Sequence, residues 1–109
     1  MILHIITHAE WEKAEALYTA SSLDSEGFIH CSTPEQVLLP ANEMFRGQTG
    51  LVLLCIDPAR VTADILYEDC YQSGQKFPHI YGPINKEAVI KVIDFPPNAD
   101  GTFSLPSLS

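Results

Sequence analysis

The sequence predicts an α+β domain, on three observations. Strand-like runs dominate the second half of the 109-residue chain. Two helix-like stretches fall early. No regular β-α alternation joins them, which argues against a doubly wound parallel sheet. The length suits one domain over residues 1–109, and such a chain can bury a core without metal or disulfide support.

Residues 2–7, ILHIIT, are apolar and β-branched and read as a buried strand. Thr7 opens T-H-A-E, a capping box in which hydroxyl and Glu10 carboxylate each satisfy a free backbone N–H. A helix is therefore expected over 8–18, with Trp11, Ala14, Leu17 and Tyr18 on one face. Residues 21–26 read as a polar loop, and 27–32, GFIHCS, as a second strand. Thr33-Pro34-Glu35-Gln36 is the strongest helix start: Thr33 caps, Pro34 loses nothing by lacking an N–H, and Gln36 reaches back. Val37, Leu38, Ala41, Met44 and Phe45 give that helix its apolar face, with Gly47 as C-cap. Pro40 removes a hydrogen bond and clashes one turn back, so a kink or break is expected there.

Later strands are expected at 51–57 (LVLLCID), 63–68 (ADILYE), 79–81 (HIY) and 89–95. A polar loop with a Ser-Gly pair covers 69–76, and 86–88 suits one helical turn. Pro78 and Pro83 flank HIYG; they read either as a rigid aperture, with Gly82 allowing close backbone approach, or as strand punctuation. The tail, about 98–109, carries Gly101, Pro106 and several serines and is expected to pack loosely.

Net charge is −8, from 14 acidic and 6 basic residues. Binding to a phosphate backbone needs a basic stripe, and none exists, so a bulk nucleic-acid binder is not expected. A small nucleotide stays within reach. The N-terminus has neither a basic leader nor a long apolar segment, so neither secretion nor a membrane anchor is expected. Cys31, Cys55 and Cys70 form no CxxC pair, which fits a reducing, cytoplasmic setting.

His4, His30 and His79 each sit inside an apolar run. Strand side chains alternate between faces. His4 therefore shares a face with Ile2 and Ile6, His30 with Phe28 and Ser32, and His79 with Tyr81. If these strands meet, the faces converge on a pocket of imidazoles, a phenol, a hydroxyl and an aromatic ring. Individually, each histidine also reads as a core or edge residue bonded to a carbonyl. His8, at a helix start, reads as exposed. Three histidines with Glu68 could bind zinc, although no HxH, HExxH or CxxC spacing supports it. Cys31 follows His30 directly, but adjacent strand side chains point apart, so Cys31 reads as structural. Glu68, at a strand end in LYED, is a candidate acid or base.

LHIIT with His4, Glu10-Trp11, Ser22-Leu23, EGFIHCSTPEQ from Glu26 to Gln36, LVLLCIDP around Asp57, YED around Glu68, and FPHIYGPI from Phe77 to Ile84 run nearly the whole chain in order. In these segments the chain resembles the domain-of-unknown-function family number 952, small bacterial proteins. That family resembles in fold the ADP-ribosyltransferase-like proteins, which hold NAD in a cleft between two small sheets. The resemblance implies an α+β fold with a split antiparallel or mixed β-sheet core and two early helices, in which His4 holds the NAD ribose and His30, Ser32 and Thr33 supply a second-strand contact. Two residues, Glu68 and His79, lie where a later-strand glutamate would stabilise the ribosyl cation. With His79 in that role, the pattern resembles RNA 2′-phosphotransferases of the same fold, whose phosphate-gripping basic groups this chain has few of.

The expectation for function is thus a pocket of His4, His30, Ser32 and Tyr81, with Glu68 and His79 at the chemistry. NAD or ADP-ribose would be ligand, and the reaction would transfer or hydrolyse an ADP-ribosyl group. Breaking the nicotinamide–ribose bond develops positive charge that a carboxylate stabilises. The alternatives are a non-catalytic module binding a nucleotide or small molecule, and a zinc-dependent hydrolase.

Overall fold

Apolar, β-branched runs form the long strands, and short paired segments fill the gaps between them. The computed structural model describes residues 1–69, 72 and 74–108. In chain order it runs β1 (Ile2–Thr7), α1 (His8–Lys13), β2 (Leu17–Tyr18), α2 (Ser21–Glu26), β3 (Ile29–His30), α3 (Leu38–Met44), β4 (Leu51–Ile56), β5 (Asp64–Glu68), β6 (Phe77–Tyr81), β7 (Ile84–Asn85) and β8 (Val89–Asp94). Single 3-10 turns stand at Pro58–Arg60 and Lys86–Ala88. The class is α+β, with antiparallel sheets and few helices.

Among the described residues three sheets form, ordered β1-β4-β8, β2-β7 and β3-β6-β5. All their strand pairs are antiparallel. A bridge between Leu3 and Ser32 ties the first sheet to the segment after β3. Every residue of β4 is buried because both of its faces are covered. Val52, Leu54 and Ile56 join Ile2 and Ile6 against Ile29, Ile80 and Ile84. Leu51, Leu53 and Cys55 join Leu3 against Val37, Ala41, Phe95 and Phe103. The strand carrying the longest apolar run thus becomes the centre of two cores.

The Thr7 cap forms as expected in part. Its hydroxyl accepts from the Glu10 N–H at 3.1 Å and donates to the Glu10 carboxylate at 2.8 Å. The helix it starts is shorter than 8–18 and ends at Lys13. Short helices are marginal without tertiary packing, and here pairing wins: Leu17 and Tyr18 leave the helical register to pair with Asn85 and Ile84. Lys86 seals the helix end, its Nζ donating to the Ala14 carbonyl at 2.5 Å and lying 4.9 Å from the Trp11 ring centre. Tyr18 is buried, whereas Leu17, expected on the same apolar face, is half exposed.

Residues 21–26, read from sequence as a loop, are helix α2. Gly27 closes it in the left-handed conformation at φ 88°, its N–H reaching the Leu23 and Ser22 carbonyls. Gln36 does reach back, accepting from the Thr33 N–H at 3.1 Å. The run from Pro34 to Met44 divides, as Pro40 requires, into a turn over 34–37 and the helix α3, with Pro40 in its first turn. Cys70, and Ser73 of the Ser-Gly pair, lie outside the described residues. Beyond β8, Phe103 is buried, and the Asn42 side chain accepts from its N–H at 2.7 Å.

Candidate functional site

Strand alternation gives the β3-β6-β5 sheet two unlike faces. Ile29 and Ile80 turn into the core with Ile65 packed against them. Phe28, His30, His79 and Tyr81 gather on the other face. His30 and His79 are directly opposed cross-strand partners, and Leu66 opposes His79 from β5. The His30 and His79 ring centres are 5.5 Å apart. Phe28 stacks on His79 at 4.1 Å and 17°, and meets His30 at 4.9 Å and Tyr81 at 5.4 Å. His79 is fully buried beneath this cluster, while Tyr81 remains exposed at its edge.

Two carboxylates reach in. Glu26, the last residue of α2, stands 2.6 Å from Nε2 of His30. Glu68, the last residue of β5, places Oε1 3.1 Å from Nδ1 of His79, and the Tyr81 hydroxyl donates to the same oxygen. The Tyr81 hydroxyl first, and the His79 imidazole second, hold the Glu68 carboxyl below its usual range. Glu68 is thus an ionised carboxylate with a fixed oxygen, one-third exposed.

His4 behaves differently. Its Nδ1 lies 2.6 Å from the His30 carbonyl, and its Nε2 lies 3.0 Å from the Tyr18 hydroxyl. A carbonyl only accepts, so Nδ1 carries the hydrogen and Nε2 accepts from Tyr18. Burial is the main cause that pushes the His4 pKa down to about 4. The ring is neutral and both its nitrogens are engaged. Its link to the histidine cluster runs through the main chain of His30.

Ser32 also stands apart. It lines a neighbouring cavity with Phe77 and residues of α3. The structure therefore brings together His30, Glu68, His79 and Tyr81, and sets His4 and Ser32 beside them rather than among them. Sequence reasoning missed two partners, Glu26 and Tyr18. Glu26 precedes His30 by four residues, but that spacing signals contact only on a helix. Here the turn at Gly27 folds α2 back onto β3. Tyr18 was masked by its expected place in a helix.

Among the described residues, no group of three or more His, Cys, Asp or Glu side chains gathers as a ligand set for a metal ion. Cys31 is buried, and burial pushes its thiol pKa upward, which suits a structural thiol and not a nucleophile. His8 is exposed and pairs with Glu12 at 3.4 Å. No helix among the described residues is long and apolar enough to cross a membrane.

Comparison with known proteins gives a family and a fold. The crystal structure of protein CC0527 from Caulobacter crescentus is similar, with a TM-score of 0.85 and 34% identity over 95% of this chain and 93% of that one. The solution NMR structure of the same protein is similar at a TM-score of 0.71 and 32% identity, over 93% of this chain and 89% of that one. No curated protein matches. A family model described as "Protein of unknown function (DUF952)" matches residues 5–92. On that match the chain belongs to the DUF952 family.

Proposed function

We propose that this domain binds an NAD- or ADP-ribose-type nucleotide on the outer face of β3-β6-β5, and cleaves or transfers at its ribosyl bond. One observation carries the reading: His79 and Tyr81 fix a single oxygen of an ionised Glu68 at the rim of an aromatic cluster. A carboxylate held in advance stabilises positive charge developing on a ribose without reorganising at the moment of reaction. His79 and Tyr81 act as positioning residues. Tyr81, exposed beside Phe28, offers a ring for stacking a base or nicotinamide. His30, held by Glu26, presents a partly exposed imidazole able to hydrogen-bond ribose hydroxyls or pyrophosphate. His4 supports the site from below by holding the His30 carbonyl, and takes no direct contact with ligand.

The chemistry would be nicotinamide–ribose cleavage, with water or another nucleophile completing the ribose carbon and nicotinamide leaving. The test is titration of the protein with ADP-ribose and NAD while the His30 and His79 imidazole signals are followed by NMR. Saturable shifts, and nicotinamide release that Glu68→Gln abolishes, support the proposal. Unmoved signals at millimolar nucleotide overturn it. Binding with no turnover, indifferent to Glu68→Gln, leaves a binding module instead.

A further inference from the structure

A second cavity, of about 360 Å³, opens between α3 and the strands β3 and β6, walled by Leu39, Pro40, Met44 and Phe77. Its volume falls within the range of about 300–1,000 Å³ usual for small-molecule sites. Ser32 lines it and is only 5% exposed. The Ser32 backbone is fully used, exchanging hydrogen bonds with Leu3 at 2.7 and 2.8 Å. Among the described residues its hydroxyl has no hydrogen-bond partner. The hydroxyl remains open to the cavity, where a polar group that enters in place of water takes up its hydrogen bond.

The other polar features point the same way. Glu43, on α3, is exposed and stands at the rim. No Lys or Arg is among the lining residues. Gln75, also exposed, adds an amide among the lining residues, and the remaining described walls are the Phe77 ring, the Cys31 thiol and aliphatic or thioether groups, which favour a flat apolar body. A carboxylate outside, apolar walls between and a lone hydroxyl within complement a molecule with a positive end, an aromatic middle and a hydrogen-bonding far end.

We propose that this cavity binds a small hydroxyaryl amine, its ring against Phe77, its far hydroxyl on Ser32 and its ammonium at Glu43. The site is separate from the Glu68 cluster and does not depend on nucleotide binding there.

Tyramine is the probe, with phenethylamine lacking the hydroxyl and 4-hydroxyphenylacetate reversing the charge. NMR of the full chain should show saturable shifts of the Met44 methyl and the Cys31 and Ser32 amides with tyramine. One neutral hydrogen bond corresponds to about fivefold in affinity, so phenethylamine, and tyramine on Ser32→Ala, should each bind about fivefold more weakly. Glu43→Gln, on the exposed rim, should narrow the preference for tyramine over 4-hydroxyphenylacetate, and added salt should do the same. Cavity signals that stay unmoved by tyramine overturn the proposal. So does equal binding of tyramine and phenethylamine to the native protein, a result that needs no variant to fold.

Discussion

The Tyr18 hydroxyl donates to Nε2 of His4 across 3.0 Å in the interior, while Nδ1 of the same ring is spent on the His30 carbonyl. The pair ties β2 to β1 and, through that carbonyl, to β3. A neutral imidazole is required at its centre, which gives the fold a defined acid sensitivity.

Burial lowers the His4 pKa to about 4 from an ordinary 6.5. The unfolded chain therefore takes up this proton first as pH falls, and uptake favours unfolding. Stability from His4 is complete above 6.5, declines between 6.5 and 4, and changes no further once both states are protonated. A displacement of that size corresponds to about 3 kcal/mol across the window. Urea unfolding at intervals from pH 7.5 to pH 4 should show this slope, and His4→Gln should flatten it. An identical slope in the variant would refute the assignment.

Removing the Tyr18 hydroxyl isolates the other half of the pair. Tyr18→Phe keeps the ring against Trp11, 6.3 Å away, but leaves a buried imidazole acceptor unbonded. The expected cost is about 1–3 kcal/mol in urea unfolding at pH 7.5. A variant as stable as the native protein would show that the hydrogen bond adds nothing there.

Strands dictated by composition were legible from sequence. ILHIIT and LVLLCI bury apolar side chains whatever they pair with, so their positions follow from local pattern. The short elements were not. Leu17-Tyr18 and Ile84-Asn85 are strands only because each finds the other, and no local period marks a two-residue pair. Ser21–Glu26 lacks an apolar face, and its one helix signal is Gly27 at the C-terminal end. The site was half legible. Alternation placed His30 with Phe28 and His79 with Tyr81, and cross-strand pairing brought the two sets together. His4 obeyed the same alternation and still landed elsewhere, because it lies in a different sheet, facing a core and the backbone of β3.

Glu68 offers a direct reading of the site's electrostatics. Its carboxyl is held low chiefly by the Tyr81 hydroxyl. Tyr81→Phe should therefore move its titration up toward the ordinary range, with His79 retaining part of the effect. Carboxyl carbon shifts followed from pH 2 to pH 7 measure this directly. Coincident curves for native and variant protein would remove the preorganised carboxylate on which the nucleotide proposal rests.

Gly82 tests the close approach suggested by its setting between Tyr81 and Pro83. A Cβ added there would stand 2.8 Å from the Cβ of Ala63. Both atoms are fixed to backbone, so neither can rotate away. Gly82→Ala should cost about 1–3 kcal/mol as an overpacking strain. Ala63→Gly in the same chain should recover much of that loss, since it deletes the opposing atom. Thermal unfolding of the two single variants and the double variant gives the coupling, and additive losses would contradict a steric origin.

The segment after β8 provides the last test. Phe103 is 4% exposed and stacks on Phe95 with ring centres 4.7 Å apart. Its N–H is held by the Asn42 side chain on α3, and Gly101 accepts from the Gly47 N–H at 2.8 Å. These contacts seal the second core, where Val37, Ala41 and Leu53 meet the tail. A loosely held terminus would tolerate truncation of this side chain, whereas a core residue would not. Phe103→Ala should therefore cost about 3–5 kcal/mol in urea unfolding, enough to unfold a marginal domain. Phe103→Leu should retain most of the stability, because volume is largely kept while the ring stacking is lost. A loss below about 1 kcal/mol for the alanine variant would show that the tail rests on the fold without supporting it.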